Sequence, residues 1–171
     1  MKKLNLITAI LLINIISFGQ IINVPSDYPT IQTGINAAIN GDTVLVEQGT
    51  YFENINFLGK AITVASHYLI EKDSANIFNT IIDGSQPTNP DSASVVLFFS
   101  GEDSTSVIYG FTITGGTGTK FPDQVNFEEI LAGGGIGIDN SGAKISHNII
   151  TDNTVDNEEE AFGAGIGGGL C

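Results

Sequence analysis

The sequence predicts an all-β fold, a parallel β-helix solenoid, from two internal repeats and from the spacing of its short strands. Residues 108–116 return as residues 145–153, an offset of 37, and the motif GGGIGI at 133 returns as GAGIGG at 163, an offset of 30. The offsets differ by seven because the intervening segments, 117–132 and 154–162, have sixteen and nine residues. A strand-sized unit repeated around a loop of variable length is typical of a solenoid.

The first nineteen residues predict a secretory signal peptide. A basic start precedes the apolar run Leu4–Phe18, and the small residues Ser17 and Gly19 stand before a cut at Gln20. The run is shorter than the ~20 apolar residues of a spanning helix, which disfavours a membrane anchor. We therefore expect an exported chain, secreted or at the cell surface, with one β-helix domain over residues 20–171.

A capping helix is predicted next, over Thr30–Ile39. Apolar residues recur there at helical spacing, with Pro29 suited to the first helical position and Gly41 to the stop. Because this helix stands before the first predicted strand, we expect it to cover the N-terminal end of the solenoid and to shield its unpaired strand edges.

Short β-branched strands follow at intervals that suit the coils of a parallel β-helix. The predicted strands are Thr43–Val46, Ile55–Leu58, Ala61–Ala65, Thr80–Ile82 and Ser94–Phe99. Residues 49–51 are predicted to form the first corner. A β-sandwich is the competing all-β architecture, but it predicts hairpin turns and does not predict the repeat offsets.

Two long loops are predicted over residues 117–132 and 154–162. Both leave the solenoid at the same corner, so we expect them to lie side by side on one face, where loops on a rigid scaffold often carry binding residues. The glycine repeat from Gly163 stops inside an unfinished unit at Cys171. We therefore expect the chain to be the N-terminal part of a longer protein.

The composition restricts the partners of the chain. Nineteen acidic residues face six basic ones, for a net charge of −13, and none of the basic residues is arginine. Such a surface repels nucleic acids and anionic membranes and suits neutral partners or divalent cations. The single cysteine, Cys171, excludes a disulfide within the chain.

Three stretches carry a family resemblance. The segment from Val24 to Ser66, the repeats VIYGFTITGG and AKISHNIITDN, and the motif GGGIGI resemble secreted right-handed parallel β-helix proteins of the pectin-lyase-like superfamily. The resemblance spans nearly the whole mature chain and implies a right-handed β-helix. It leaves the activity open, because the group includes lyases, hydrolases, esterases and proteins with no known chemistry.

The motifs that the enzymes of this group would need are missing. The resemblance implies a basic residue, usually arginine, for lyases, and the chain has none. It implies a Gly-His-Gly motif for polygalacturonase-like members, and neither His67 nor His147 lies in one. The Asp-Phe sequence of pectinesterase-like members is also absent. No catalytic residue is carried over to this chain.

Tyr109 is the candidate for contact with carbohydrate. It neighbours the inward Ile108, so alternation along the strand directs its ring outward. Other aromatic side chains could stack on sugar rings where they are exposed, namely Tyr51, Tyr68 and Phe121. Asn148, which aligns with Phe111, is predicted to bind backbone groups of adjacent coils in a structural role.

The acidic residues suggest two further kinds of site, a calcium site and a paired-carboxylate site. Asp152, Asp156 and residues 158–160 could bind calcium, but their spacing matches no calcium motif, and a solvated acidic loop is the preferred interpretation. Asp139 and Asp152 could form a paired-carboxylate site, although turn chemistry alone accounts for both. We predict no cofactor and no metal.

The sequence therefore predicts an exported β-helix module whose loops bind a polysaccharide or another surface ligand without catalysis. One alternative is the N-terminal part of a polysaccharide lyase or glycoside hydrolase whose active site lies beyond residue 171. Another is a structural or adhesive protein of the cell surface.

Overall fold

The computed structural model describes residues 19–122 and 129–155. Several predictions lie outside these residues: most of the signal peptide, the second glycine repeat, the acidic run from Asp156 and the cysteine at the end. In the described part, no helix has the length and apolarity needed to span a membrane.

The described residues form fifteen short strands and three short helices. The strands are β1 (Ile21–Val24), β2 (Thr43–Val46), β3 (Gly49–Phe52), β4 (Ile55–Asn56), β5 (Thr63–Ser66), β6 (Thr80–Asp83), β7 (Ser92–Ala93), β8 (Val96–Phe98), β9 (Val107–Tyr109), β10 (Thr112–Thr114), β11 (Gly118–Pro122), β12 (Glu129–Ala132), β13 (Ile136–Ile138), β14 (Lys144–Ser146) and β15 (Ile149–Ile150). The helices are α1 (Ile31–Ala37), α2 (Tyr68–Glu71) and α3 (Ala75–Asn79). The fold is therefore all-β with minor helical segments.

Three parallel sheets carry the fold. Sheet A has the order β1-β2-β5-β9-β14, sheet B the order β15-β10-β6-β3, and sheet C the order β13-β8-β4. The chain visits the sheets in turn, from β2 to β3 to β4, then β5 to β6 to β8, then β9 to β10 to β13, and then β14 to β15. We call each such passage a coil. A fourth, antiparallel sheet has the order β12-β11-β7.

The core is built from columns of side chains that lie in register across the coils. In sheet A, Val44 pairs with Val64, Val64 with Ile108, and Ile108 with Ile145. In sheet B, Ile82 pairs with Ile113 and Ile113 with Ile150. Burial of one such side chain contributes about 1.5–3 kcal/mol before entropy is counted. The offset of 37 residues is thus confirmed as the register between two successive coils.

The helix α1 covers the start of this core. Thr30 is its N-cap, its side chain accepts a hydrogen bond from the Thr33 N–H, and Ile31 and Ile35 are fully buried. Pro29 therefore precedes the cap rather than opening the helix. The helix ends at Ala37, before Gly41, because the backbone becomes extended at Ala38. Lys60 Nζ donates hydrogen bonds to carbonyl groups at this end.

Two predictions at the start of the chain are wrong. Ile21–Val24 forms strand β1, which pairs with β2, so α1 follows the first strand instead of preceding it. Gly49–Phe52 is strand β3 and not a corner, because it pairs with β6 and places Tyr51 in register with Ile82.

The predicted loop 117–132 is also wrong in its described part. Residues 118–122 and 129–132 form β11 and β12, which pair as antiparallel strands. Phe121 and Ala132 bury their side chains with Leu97, so the segment folds back onto the outside of sheet C. Segments 117–132 and 154–155 do leave the same corner, where the Thr154 N–H donates to the Gly116 carbonyl at 2.9 Å.

The remaining predicted strands are all present, most of them with different bounds. Thr43–Val46 is confirmed as predicted, whereas Ile55–Leu58 is reduced to β4 and Ser94–Phe99 to β8. Residues 68–79 contain α2 and α3, which are not among the predicted elements.

Candidate functional site

Three aromatic rings from three successive coils meet on the outside of sheet A. Tyr109 ends β9, Tyr68 follows β5, and His147 follows β14. The ring centroids lie 5.7 Å apart for Tyr68 and Tyr109, 4.8 Å for Tyr109 and His147, and 5.4 Å for Tyr68 and His147. These separations are within the range of favourable aromatic contacts. The outward direction predicted for Tyr109 agrees with its place in this cluster.

The backbone turns at equivalent places below these rings. Gly110 has a φ of +84° and His147 a φ of +59°, and the two residues are one repeat offset apart. A Cβ atom on Gly110 would lie 2.6 Å from Ser66 Oγ of the preceding coil, so this position requires glycine. The imidazole of His147 is exposed, and its Nδ1 atom lies 2.7 Å from Ser146 Oγ.

Lys72 completes the cluster. Its ammonium lies 5.1 Å from the centroid of the Tyr109 ring and 5.6 Å from that of Tyr68, and it donates a hydrogen bond to Tyr109 Oη at 3.2 Å. An ammonium in this position is attracted by the electron-rich ring faces. We name the set Tyr68, Lys72, Tyr109 and His147 the aromatic corner.

His67 lies next to the aromatic corner between two carboxylates. Its Nε2 atom is 3.2 Å from Glu47 Oε1, and its Nδ1 atom is 3.6 Å from Glu71 Oε1. Nε2 is buried and makes no hydrogen bond to any described residue, because the approach of Glu47 lacks hydrogen-bond geometry. Asn76 Nδ2 fixes Glu71 by donating to its Oε2 atom at 2.8 Å. His67 therefore lies within 4 Å of carboxylate oxygens from two neighbouring segments.

The other two aromatic candidates, Tyr51 and Phe121, lie away from the aromatic corner. Tyr51 lies in the core column of sheet B and donates a hydrogen bond to the Glu47 carbonyl at 3.0 Å. Burial, assisted by the charges of Glu47 and Glu53, raises the pKa of the Tyr51 phenol. Phe121, in β11, is buried and its ring centroid lies 5.8 Å from that of Phe99. The Tyr51 ring is partly buried, and neither ring joins the aromatic corner.

The two acidic candidates, Asp139 and Asp152, do not form a paired site. Asp139 follows β13 of sheet C and Asp152 follows β15 of sheet B, so they stand at different corners. Asp152 has a φ of +52°, and its carbonyl accepts a hydrogen bond from the Gly115 N–H, as expected in a tight turn. Over residues 19–122 and 129–155, no three His, Cys, Asp or Glu side chains form a group that could hold a metal ion.

Glu102 is one of two buried carboxylates among the described residues, the other being Asp42. Its oxygens accept hydrogen bonds from the Gly59 and Ser100 N–H groups, both at 2.7 Å, and from Ser141 Oγ at 2.8 Å. Burial acts to raise its pKa, but these hydrogen bonds outweigh that effect, and the pKa lies below its ordinary value. Glu102 therefore joins turns of three coils and is not available for proton transfer.

Asn148 occupies the structural position that the sequence predicts. The Phe111 N–H donates to Asn148 Oδ1 at 2.9 Å, and Asn148 Nδ2 donates to the Ile108 carbonyl at 3.1 Å. Asn153 acts in the same way on Gly116 and Ile113. The alignment of the two repeats is the signal that identified Asn148.

The comparisons with known proteins add no assignment. No protein-family model matches the chain, and no curated protein is significantly similar to it in sequence. What the chain does is therefore inferred from its fold and its surface.

Proposed function

We propose that the chain is an exported right-handed parallel β-helix of the pectin-lyase-like kind that binds polysaccharide on its outer surface without modifying it. The path of the chain through three parallel sheets supports this fold, since three successive coils each add one strand to each sheet. The basic and apolar start of the sequence supports export.

The observation that carries the proposal is the aromatic corner. It gathers partly exposed rings, two phenol groups and one ammonium from three coils on the outside of a rigid sheet. Sugars combine apolar C–H faces with hydroxyl groups, so aromatic rings beside hydrogen-bonding groups suit them. In this setting Tyr109 provides ring contact and holds Lys72 in place.

The net charge supports a neutral or weakly charged glycan over nucleic acid. At −13 the chain repels polyanions, and Lys120 is already paired with Asp91 at 2.8 Å. Lys60 is bound to the carbonyl groups at the end of α1. Two lysines of the described surface are therefore already engaged, which disfavours binding to the phosphate backbone of a nucleic acid.

Affinity gel electrophoresis against a panel of soluble polysaccharides tests the proposal. We expect retardation by at least one polysaccharide and a loss of about 3–10-fold in affinity for Tyr109→Ala, because an aromatic contact contributes about 0.5–1.5 kcal/mol. Tyr109→Phe keeps the ring and should retain most of the affinity.

Tyr28→Ala is the matched control, since Tyr28 is 37% exposed and lies outside the aromatic corner. Unretarded migration of the wild-type chain in every polysaccharide would contradict the proposed function. An equal loss for Tyr28→Ala and Tyr109→Ala would show that the corner has no specific role.

A further inference from the structure

A concave surface lies where the chain passes from sheet B to sheet C, away from the aromatic corner. It is a groove of about 380 Å³, within the roughly 300–1,000 Å³ that small-molecule sites commonly have. The groove is lined by Gln32, Phe52, Glu53, Asn54, Gln86, Thr88, Asn89 and Ser92. We name this set the neutral groove. It lies at the same corner as the segments that the sequence predicts to be binding loops.

The floor of the neutral groove is fixed by hydrogen bonds. Asn54 Nδ2 donates to the Ser94 carbonyl at 3.1 Å, and Gln32 Oε1 accepts from the Asn56 N–H at 2.7 Å. Glu53 accepts the N–H groups of Ile31 and Gln32 with its two oxygens, each at 2.9 Å. Both oxygens of the Glu53 carboxylate therefore already accept hydrogen bonds from the first turn of α1, and the carboxylate is directed toward the helix.

The wall of the neutral groove carries uncharged polar groups that are not engaged in this way. The amide of Gln86 and the hydroxyls of Thr88 and Ser92 make no side-chain hydrogen bond to another residue of the described part. The Asn89 side chain accepts one hydrogen bond, from the Asp91 N–H at 3.1 Å. Hydroxyl and amide groups both donate and accept, as the hydroxyls of a sugar do.

The segment that provides this wall is held in place. Asp91 pairs with Lys120 Nζ at 2.8 Å, and its carbonyl accepts the Lys120 N–H at 2.9 Å. Two prolines, Pro87 and Pro90, restrict the backbone on either side of Thr88. A wall anchored in this way loses little conformational entropy when a ligand binds.

Phe52 adds an apolar surface at the edge of the groove. It follows the inward Tyr51 at the end of β3, so its side chain points outward, and it is 55% exposed. An exposed phenyl ring beside unengaged amides and hydroxyls offers stacking and uncharged hydrogen bonding together. The lining includes no cation that would attract a uronate or a phosphate.

We propose that the neutral groove binds an uncharged sugar residue of a polysaccharide chain, with the sugar face on Phe52 and its hydroxyls on Gln86, Thr88 and Ser92. This inference rests on the proposed function and names the substrate class. An anionic sugar is disfavoured, because it would meet the charge of Glu53 and the negative net charge of the chain without a cation to offset them.

Calorimetric titration of the isolated chain tests the inference, with cellohexaose and mannohexaose as uncharged probes and hexagalacturonate as the anionic probe of equal length. We expect binding of an uncharged hexasaccharide and a loss of about 3–10-fold for Phe52→Ala, with Phe52→Tyr close to wild type. Thr88→Val, which replaces the hydroxyl at similar volume, should weaken binding about 2–10-fold.

Phe78→Ala is the matched control, since Phe78 is 60% exposed in α3 and lies outside the groove lining. Wild-type affinity of Phe52→Ala and Thr88→Val for a bound oligosaccharide would overturn this inference and leave the proposed function intact. Binding of hexagalacturonate alone would overturn the assignment of an uncharged sugar. Binding of none of the three hexasaccharides would overturn this inference, and only unretarded migration in every polysaccharide of the panel would overturn the proposed function as well.

Discussion

Asn148 binds the backbone at Phe111 across one coil, with the Phe111 N–H 2.9 Å from Asn148 Oδ1. The same side chain donates to the Ile108 carbonyl at 3.1 Å, so one amide satisfies a donor and an acceptor of the preceding coil. The corner between sheets A and B thus receives hydrogen bonds that the strands cannot supply.

Replacement of this amide should destabilise the fold. We expect Asn148→Ala to lower the free energy of unfolding by about 1–3 kcal/mol, because two partly buried backbone groups lose their partner. Urea denaturation measures the change. Asn79→Ala, at an exposed residue with no side-chain hydrogen bond among the described residues, is the control. Equal stability of the two variants would contradict a structural role for Asn148.

The carboxylate of Glu102 should make stability depend on pH. Its folded pKa lies below the ordinary value of 4.5, so its contribution is present above about pH 4.5 and is lost as pH falls through the folded pKa. We expect Glu102→Gln to be less stable by about 1–3 kcal/mol at pH 7. The difference between the two proteins should shrink in denaturation curves recorded at progressively lower pH. A constant difference down to pH 2 would rule out this linkage.

Lys60 should stabilise the end of the capping helix. Its ammonium donates to the carbonyls of Ile35, Asn36 and Ala38 at 2.7, 2.8 and 2.8 Å. We expect Lys60→Met to lower the melting temperature and to cost about 1–2 kcal/mol, because these carbonyls lose a charged donor. Lys144→Met, at an exposed residue of β14, should leave the melting temperature almost unchanged. The reverse order of the two variants would refute the capping role.

Gly116 should not tolerate a side chain. A Cβ atom there would overlap the Gly134 carbonyl oxygen, which belongs to the backbone and cannot rotate away. We expect Gly116→Ala to cost about 1–3 kcal/mol in thermal unfolding. Gly142→Ala is the control, since the nearest atoms to its added Cβ would be 3.8 Å away. A Gly116→Ala protein as stable as the control would show that Gly116 and Gly134, which lie between β10 and β13 of one coil, are farther apart than described.

The core columns could be predicted from the sequence, whereas the groove could not. Ile108 and Ile145 repeat in a fixed pattern, and the stacking of coils converts that pattern directly into register. The groove combines α1 with residues near 52 and 90, and their proximity depends on which strands pair. Residues 49–51 are predicted from the sequence to form a corner, and a corner does not fix the direction of the next side chain. The outward direction of Phe52 follows only because Tyr51 lies in a strand and points inward.

The short helices and the antiparallel sheet have no repeated sequence pattern from which they could be predicted. α2 has four residues and α3 has five, too few for a helical period to appear in the sequence. Strand β11 is held by the Ser94 hydroxyl, 2.7 Å from Thr119 Oγ1, and by burial of Phe121. Both contacts join residues about one coil apart, so local pattern alone could not reveal them.

We propose that the outer surface of the parallel sheets binds an uncharged polysaccharide, and an amide chemical-shift map of the isotope-labelled chain titrated with cellohexaose and mannohexaose is the sharpest test. We expect saturable shifts that concentrate at the neutral groove, around Phe52, Thr88 and Ser92, and at the aromatic corner around Tyr109. The absence of any saturable shift with millimolar oligosaccharide would contradict it.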